Sequence, residues 1–104
     1  MKLSGSLRNQ GSGSIDFYPR EILDGSATWN PGSIADGDEE AKEVTVTGAV
    51  LGDCAIASFS LDVADLVLTA NVTAADTVTC ILANNTGDAV DLGSGAIRAR
   101  VIKL

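Results

Sequence analysis

The feature that most constrains the fold is a pair of matched segments between Leu66 and Gly87, LVLTANVTAADTVTCILANNTG. Apolar residues occupy every second position in both segments: Leu66, Leu68, Ala70 and Val72, then Val78, Cys80 and Leu82. Such alternation is typical of strands that bury one face. The Ala-Ala-Asp sequence at 74–76 predicts a turn between them. The two segments therefore predict neighbouring strands, and nothing in them is suited to catalysis.

Strand-like patterns continue through most of the chain. A strand is expected to end at Gly48, and the final segment AIRARVIKL alternates apolar and basic residues. The run CAIASFSLDV at 54–63 is apolar at both parities, which predicts a strand covered on both faces. Turn signals recur about every eight to twelve residues, and no segment has helical periodicity. We expect an all-β fold, a β-sandwich or jelly-roll-like barrel of about seven short strands.

The N-terminal part has a different composition. Residues 1–14 are rich in Ser and Gly, as in linkers and arms. An apolar and aromatic cluster, IDFYPREIL, follows at 15–23. A chain of 104 residues corresponds to one domain. We therefore predict an extended N-terminal arm over 1–26 and a β-sandwich domain over 27–104.

The charge distribution argues against two classes of partner. The net charge is −7, and residues 36–43 alone contribute five acids and one lysine. Nucleic-acid binding requires clustered Lys and Arg, so we expect no nucleic-acid partner. An acidic surface is also repelled by anionic membranes. The N-terminus has no apolar signal core, and no apolar run is long enough to span a bilayer, so we expect no membrane partner.

The residues needed for common chemistry are missing from the sequence. It contains no His, which excludes a Ser-His-Asp triad and a Cys-His dyad, and it has no phosphate-binding glycine motif. The acidic residues Asp36, Asp38, Glu39 and Glu40 could bind Ca²⁺, but their spacing is not that of an EF-hand, which favours a solvated loop. We expect no enzyme activity, no cofactor and no metal.

Three blocks of sequence, ATWNPGSIADG, VTVTGAVLGD and a long final block from SFSLDV to RARVIK, resemble small β-domain virion proteins of tailed phages and prophages. The similarity covers about residues 27–103. It implies a capsid decoration (cement) protein that binds the outer head surface as a homotrimer and stabilises it. Its partners would be the major capsid protein and its own copies. It would be synthesised in the host bacterial cytoplasm and located in the virion, on the capsid surface.

A different function stays open beside this one. Tail-fibre or spike accessory domains that bind carbohydrate or a host receptor also resemble this pattern. Such a domain needs an exposed aromatic or carboxylate pocket, and only Trp29 and Tyr18 favour one. A lone Trp is more often a core or interface anchor than a binding platform.

The apolar residues of the arm and of the chain's end are the predicted contacts. Strands with two apolar faces would expose too much surface unless subunits cover each other, or unless the N-terminal segment covers them. The residues predicted to contact the capsid or a neighbouring subunit are Leu3, Leu7, Ile15, Phe17, Tyr18, Ile22, Leu23, Trp29, Ile102 and Leu104.

Two cysteines remain, Cys54 and Cys80, where the family pattern favours apolar residues. They are either two buried thiols or a disulfide between strands. We expect two free thiols in the reducing cytoplasm where particles assemble.

Overall fold

A computed structural model of the chain describes residues 21–104, which form eight strands. The all-β prediction is confirmed. The sheets do not close into a barrel, and the fold is a small β-sandwich. The strands are β1 (Ile22–Trp29), β2 (Ser33–Ile34), β3 (Glu39–Thr45), β4 (Cys54–Phe59), β5 (Val67–Ala74), β6 (Thr77–Ala83), β7 (Val90–Asp91) and β8 (Gly95–Ile102).

Two three-stranded antiparallel sheets form the sandwich. The front sheet has the order β1-β8-β4, and the back sheet has the order β3-β6-β5. Strands β2 and β7 form a separate two-stranded sheet. β4 and β5 are in contact, as are β1 and β3. The two larger sheets therefore meet along both pairs of edge strands.

The alternating residues of the sequence line the space between the sheets. Val78, Cys80 and Leu82 of β6 are fully buried. The strands that pair with β6 place their own alternate residues on this inward side. Burying an aliphatic side chain contributes about 1.5–3 kcal/mol, so these positions dominate the stability of the domain. The remaining buried apolar residues are Trp29, Ile34, Val44, Val46, Ala49, Leu66, Val72, Ile97, Ala99 and Val101.

The hairpin that dominates the sequence forms as expected. β5 ends at Ala74, Ala75 and Asp76 make the turn, and β6 begins at Thr77. Asp76 has a φ of 61°, a left-handed conformation that Asp tolerates better than most residues. Its carboxylate accepts a hydrogen bond from the Gly48 amide at 2.7 Å, which ties this turn to the loop after β3.

Gly25 allows the two sheets to approach each other at β1 and β3. A Cβ at this position would collide with the main-chain carbonyl oxygen of Thr45 and would lie 2.9 Å from a methyl group of Val46. Since main-chain atoms of a strand cannot move aside cheaply, the close packing requires glycine here.

The expectation that β4 is covered on both faces is wrong for the domain itself. β4 is an edge strand, and its outward residues Cys54, Ile56 and Ser58 are exposed among residues 21–104. An apolar run cannot reveal which of its faces meets another layer. β1 also begins at Ile22, five residues before the predicted start of the sandwich at 27, because Ile22 and Leu23 pair with Ile102 and Val101.

Candidate functional site

The sandwich has two chemically different ends, which the strand register defines. At one end Ile22 of β1 pairs with Ile102 of β8, and Ile102 also pairs with Cys54 of β4. At the other end β3 begins beside the last residue of β6. The loops that extend from these two ends differ in charge, in burial and in hydrogen bonding.

The first end, which we call the apolar end, presents four exposed apolar side chains. Their exposed fractions are 50% for Ile22, 50% for Val50, 69% for Leu51 and 77% for Leu104. Solvent-exposed apolar residues are ordinary when they are scattered, but here they lie on chain segments that meet at one end of the domain. This end also carries the covalent connection to residues 1–20.

Asp53 holds the segments of the apolar end together. Its carboxylate accepts hydrogen bonds from the Val50 amide at 3.0 Å and from the Lys103 ammonium at 2.5 Å. Lys103 Nζ also donates to the Gly48 carbonyl at 2.8 Å, and the Lys103 amide donates to the Glu21 carbonyl at 2.9 Å. The hydrogen bond from Lys103, followed by that from the Val50 amide, lowers the pKa of Asp53. This ionic clasp fixes the loop after β3 against the end of β8.

The second end, the acidic end, presents carboxylates to solvent. Asp36, Asp38, Glu39 and Glu40 are all exposed. Two of these side chains accept main-chain hydrogen bonds: Asp36 from the distant Gly87 amide at 3.0 Å, and Asp38 from the adjacent Glu39 amide at 2.8 Å. Within residues 21–104 no group of three or more potential ligands is arranged to hold a metal ion.

A buried amide organises the acidic end. The Asn84 side chain is fully buried and donates to the carbonyls of Ile34 and Asp88, both at 2.8 Å. Its Oδ1 accepts from the amide and the hydroxyl of Thr86 at 2.9 and 2.8 Å. Both hydrogens and the oxygen of the amide are therefore used. The sequence analysis missed this residue, because an Asn beside Gly87 has the same signature as an ordinary turn residue.

The outer surface of the front sheet carries a third feature, which we call the arginine face. It consists of Asp24, Ser26, Ile56, Ser58, Arg98 and Arg100, which border a shallow depression of about 540 Å³. Arg100 Nε donates to Asp24 at 2.7 Å, and this hydrogen bond raises the pKa of the guanidinium. Both side chains are more than half exposed, so the pair contributes little to stability.

The structure separates the predicted contact residues into three groups. Ile22 and Leu104 lie exposed at the apolar end, and Ile102 is partly buried beside Ile22. Leu23 and Trp29 contribute to the core: Leu23 packs against the buried cluster, and Trp29 is 6% exposed. The other five predicted contacts lie outside the described residues: Leu3, Leu7, Ile15, Phe17 and Tyr18.

Trp29 has too little exposed surface to serve as a binding platform. Its ring packs edge-on against Phe59, with ring centroids 5.9 Å apart and an interplanar angle of 70°. This arrangement is a favourable aromatic geometry for a core. Its use in the core explains why the only Trp of the sequence lies in a regular strand.

The two cysteines face opposite sides of the front sheet. Cys54 is exposed on the outer surface, whereas Cys80 points from the back sheet into the core, and both are free thiols. Burial raises the pKa of the Cys80 thiol. A bond between them would require one side chain to cross the front sheet.

None of the described residues lies in a helix that could cross a membrane. Comparison with known proteins gives no match: neither a protein-family model nor a curated protein is significantly similar to this sequence.

Proposed function

We propose that this chain is a structural protein of a tailed-phage virion, a decoration (cement) protein that binds the outer surface of the head as a trimer and stabilises it. The observation that carries the proposal is the asymmetry of the domain. Four of the seven exposed large apolar side chains among residues 21–104, including the two most exposed, lie at one end with the connection to residues 1–20, while the exposed carboxylates of 36–40 lie at the other.

This asymmetry suits a protein that stands on a surface. The apolar end and the N-terminal arm would contact the major capsid protein together, because the described chain begins at this end, where Glu21 bonds to Lys103. Burying Leu51 and Leu104 against the capsid would contribute about 1.5–3 kcal/mol each before the cost of ordering. The acidic end would then point to solvent, where carboxylates keep decorated particles apart.

The alternative function, a carbohydrate- or receptor-binding domain of a tail fibre, has less support. Of the two aromatic residues that favoured it, Trp29 is buried in the core, and Tyr18 lies outside the described residues. An exposed aromatic platform is therefore not found among residues 21–104.

Co-sedimentation with undecorated heads tests the proposal. Leu51→Asp at the apolar end should abolish binding, since it places a charge in an apolar contact. Val67→Asp is the matched control, because Val67 is 49% exposed on the outer surface of the back sheet, away from the apolar end. Both variants should melt like the wild type. Equal binding by the two variants would contradict attachment through the apolar end.

A second variant tests the arm by itself. Deleting residues 2–14 should leave the domain folded, with unchanged melting, and should prevent co-sedimentation. Full occupancy of heads by the deleted protein would refute a role of the arm. Cys54 supplies an independent readout: alkylation of its exposed thiol should slow on decorated heads, because it lies beside Ile22 and Ile102 at the apolar end.

A further inference from the structure

The arginine face is an exception on a strongly acidic domain. Residues 21–104 contain thirteen of the 14 acidic residues but only four of the seven basic ones. Two of those four, Arg98 and Arg100, point outward from the central strand of the front sheet. Strand register places Arg98 between Ser26 and Ser58. Within residues 21–104 no carboxylate lies within salt-bridge distance of Arg98.

The complementary charge lies on the opposite sheet. Glu39 and Glu43 of β3 pair with the outward residues Ala83 and Thr79 of β6, so both glutamates point away from the core. Only Ala41 lies between them on this side of the strand. We call these two residues the outer glutamates. Both are exposed.

We propose that the arginine face of one copy docks on the outer glutamates of a second copy of this chain. Pairing two arginine faces would bring four arginines together with only two aspartates, each already paired with Arg100, and like charges across an interface are costly. The contact therefore joins two different surfaces. Such head-to-tail contacts generate closed rings or open filaments. That the ring contains three copies rests on the proposed function. The identity of the two surfaces in contact is argued from their charges and does not depend on that function.

The area of the arginine face predicts a weak contact in free solution. Strands of eight, eight and six residues, about 4.8 Å apart, cover roughly 350 Å² of sheet. Stable interfaces bury about 800 Å² on each partner. Self-association should therefore be weak in solution and become effective on a capsid, where neighbouring copies are held at high effective concentration.

Mixing two variants tests the contact in the full-length chain. Arg98→Glu removes the arginine face but keeps the outer glutamates, and Glu43→Arg does the reverse. In sedimentation velocity at millimolar concentration, the wild type should form assemblies larger than dimers. Each variant alone should associate about tenfold more weakly or not at all. Their mixture retains one intact pair of surfaces and sets the two introduced charges, which are opposite in sign, against each other across the second pair, so mixing should restore assembly beyond dimers.

Matched variants control for net charge. Ser33→Glu with Ser94→Glu changes the charge by the same amount as Arg98→Glu at exposed positions away from the arginine face, and should assemble like the wild type. Asp88→Arg changes the net charge by the same amount as Glu43→Arg, and it should also assemble like the wild type.

Three results would overturn the proposal. The first is a wild-type chain that stays monomeric at millimolar concentration, and the second is wild-type assembly by Arg98→Glu. The third is assembly that appears only after deletion of residues 2–14, because the chain's own N-terminal segment would then occupy the arginine face. Head binding is measured separately, so failure of the proposed function leaves each of these results interpretable.

Discussion

Different kinds of contact hold the chain segments together at the two ends of the sandwich. At the acidic end Asn84 is fully buried, and its amide joins the loop at 84–88 to Ile34 through hydrogen bonds of 2.8 to 2.9 Å. At the apolar end Asp53 and Lys103 form an ion pair in which the Asp53 side chain is 5% exposed and the Lys103 side chain 23% exposed. One end is closed by a buried neutral amide and the other by a largely buried ionic clasp.

This difference determines what each end can offer a partner. The acidic end satisfies the polar atoms of Asn84 and buries Ile34 to 1% exposure, so its surface is mainly solvated carboxylates, with Val67 half exposed beside them. The apolar end aligns its loop and chain terminus but leaves Leu51 and Leu104 more than two-thirds exposed. An end that is already ordered yet still exposes apolar side chains can bind without a large ordering cost.

Substitution of the buried amide should have the largest effect. Asn84→Ala leaves the Ile34 carbonyl and the Thr86 amide without their side-chain partner, and the Asp88 carbonyl keeps only the hydrogen bond from the Thr86 hydroxyl. Because each unsatisfied buried group is costly, we expect a loss of about 3 kcal/mol in the free energy of unfolding. Urea denaturation measures this loss.

The neighbouring Asn provides the matched control for this substitution. Asn85→Ala, at an exposed position, should change stability by less than about 0.5 kcal/mol. A similar small change for Asn84→Ala would show that the acidic end is not organised by its amide.

The sequence predicted the repeating parts of this molecule better than the ends. Period-two alternation correctly identified the inward residues of β5, β6 and β8, because the positions of apolar residues along a strand indicate which of its sides is buried. The position of β4 at an edge depends on which strands lie beside it, and that information is not local. Strands β2 and β7 have two residues each, too few to show a period.

The candidate site was only partly predictable for the same reason. Ile22 and Leu104 were predicted as contact residues, but Val50 and Leu51 were not, since they read as part of a turn. They join the apolar end through Asp53 and Lys103, which are 50 positions apart in sequence. Leu23 and Trp29 have the same apolar character as Ile22, and only the pairing of β1 with β8 directs them inward.

Removing the charge of the clasp should have a smaller, pH-dependent effect. Asp53 has a lowered pKa in the folded state, so it stabilises the fold above its ordinary pKa of 3.8, and this contribution is lost as the pH falls through the folded value. Asp53→Asn should therefore melt below the wild type at pH 7, with a gap that narrows under acid. It should cost less than Asn84→Ala.

Thermal melting from neutral pH to below 3.8 provides the measurement. Asp88→Asn controls for removal of one charge, because the Asp88 carboxylate accepts no hydrogen bond within residues 21–104. A gap between Asp53→Asn and wild type that stays constant with pH would mean that the ion pair does not stabilise the apolar end.

Neutralising the acidic end should have the smallest effect on stability. This test also distinguishes most clearly between the roles of the two ends. Asp36→Asn, Asp38→Asn and Glu40→Gln together remove three exposed charges. The amide oxygens of the Asn residues can still accept from the Gly87 and Glu39 amides. Relief of like-charge repulsion on so acidic a domain offsets any lost solvation, so stability should change by less than about 0.5 kcal/mol.

Head binding by this triple variant decides whether the acidic end is only a solvated surface. The variant leaves Glu39 and Glu43 unchanged, so the proposed contact between copies stays intact, and co-sedimentation should match the wild type. Binding that weakens as these charges are removed would place the acidic end against the capsid. The domain would then bind the phage head in the opposite orientation, with Leu51 and Leu104 exposed to solvent.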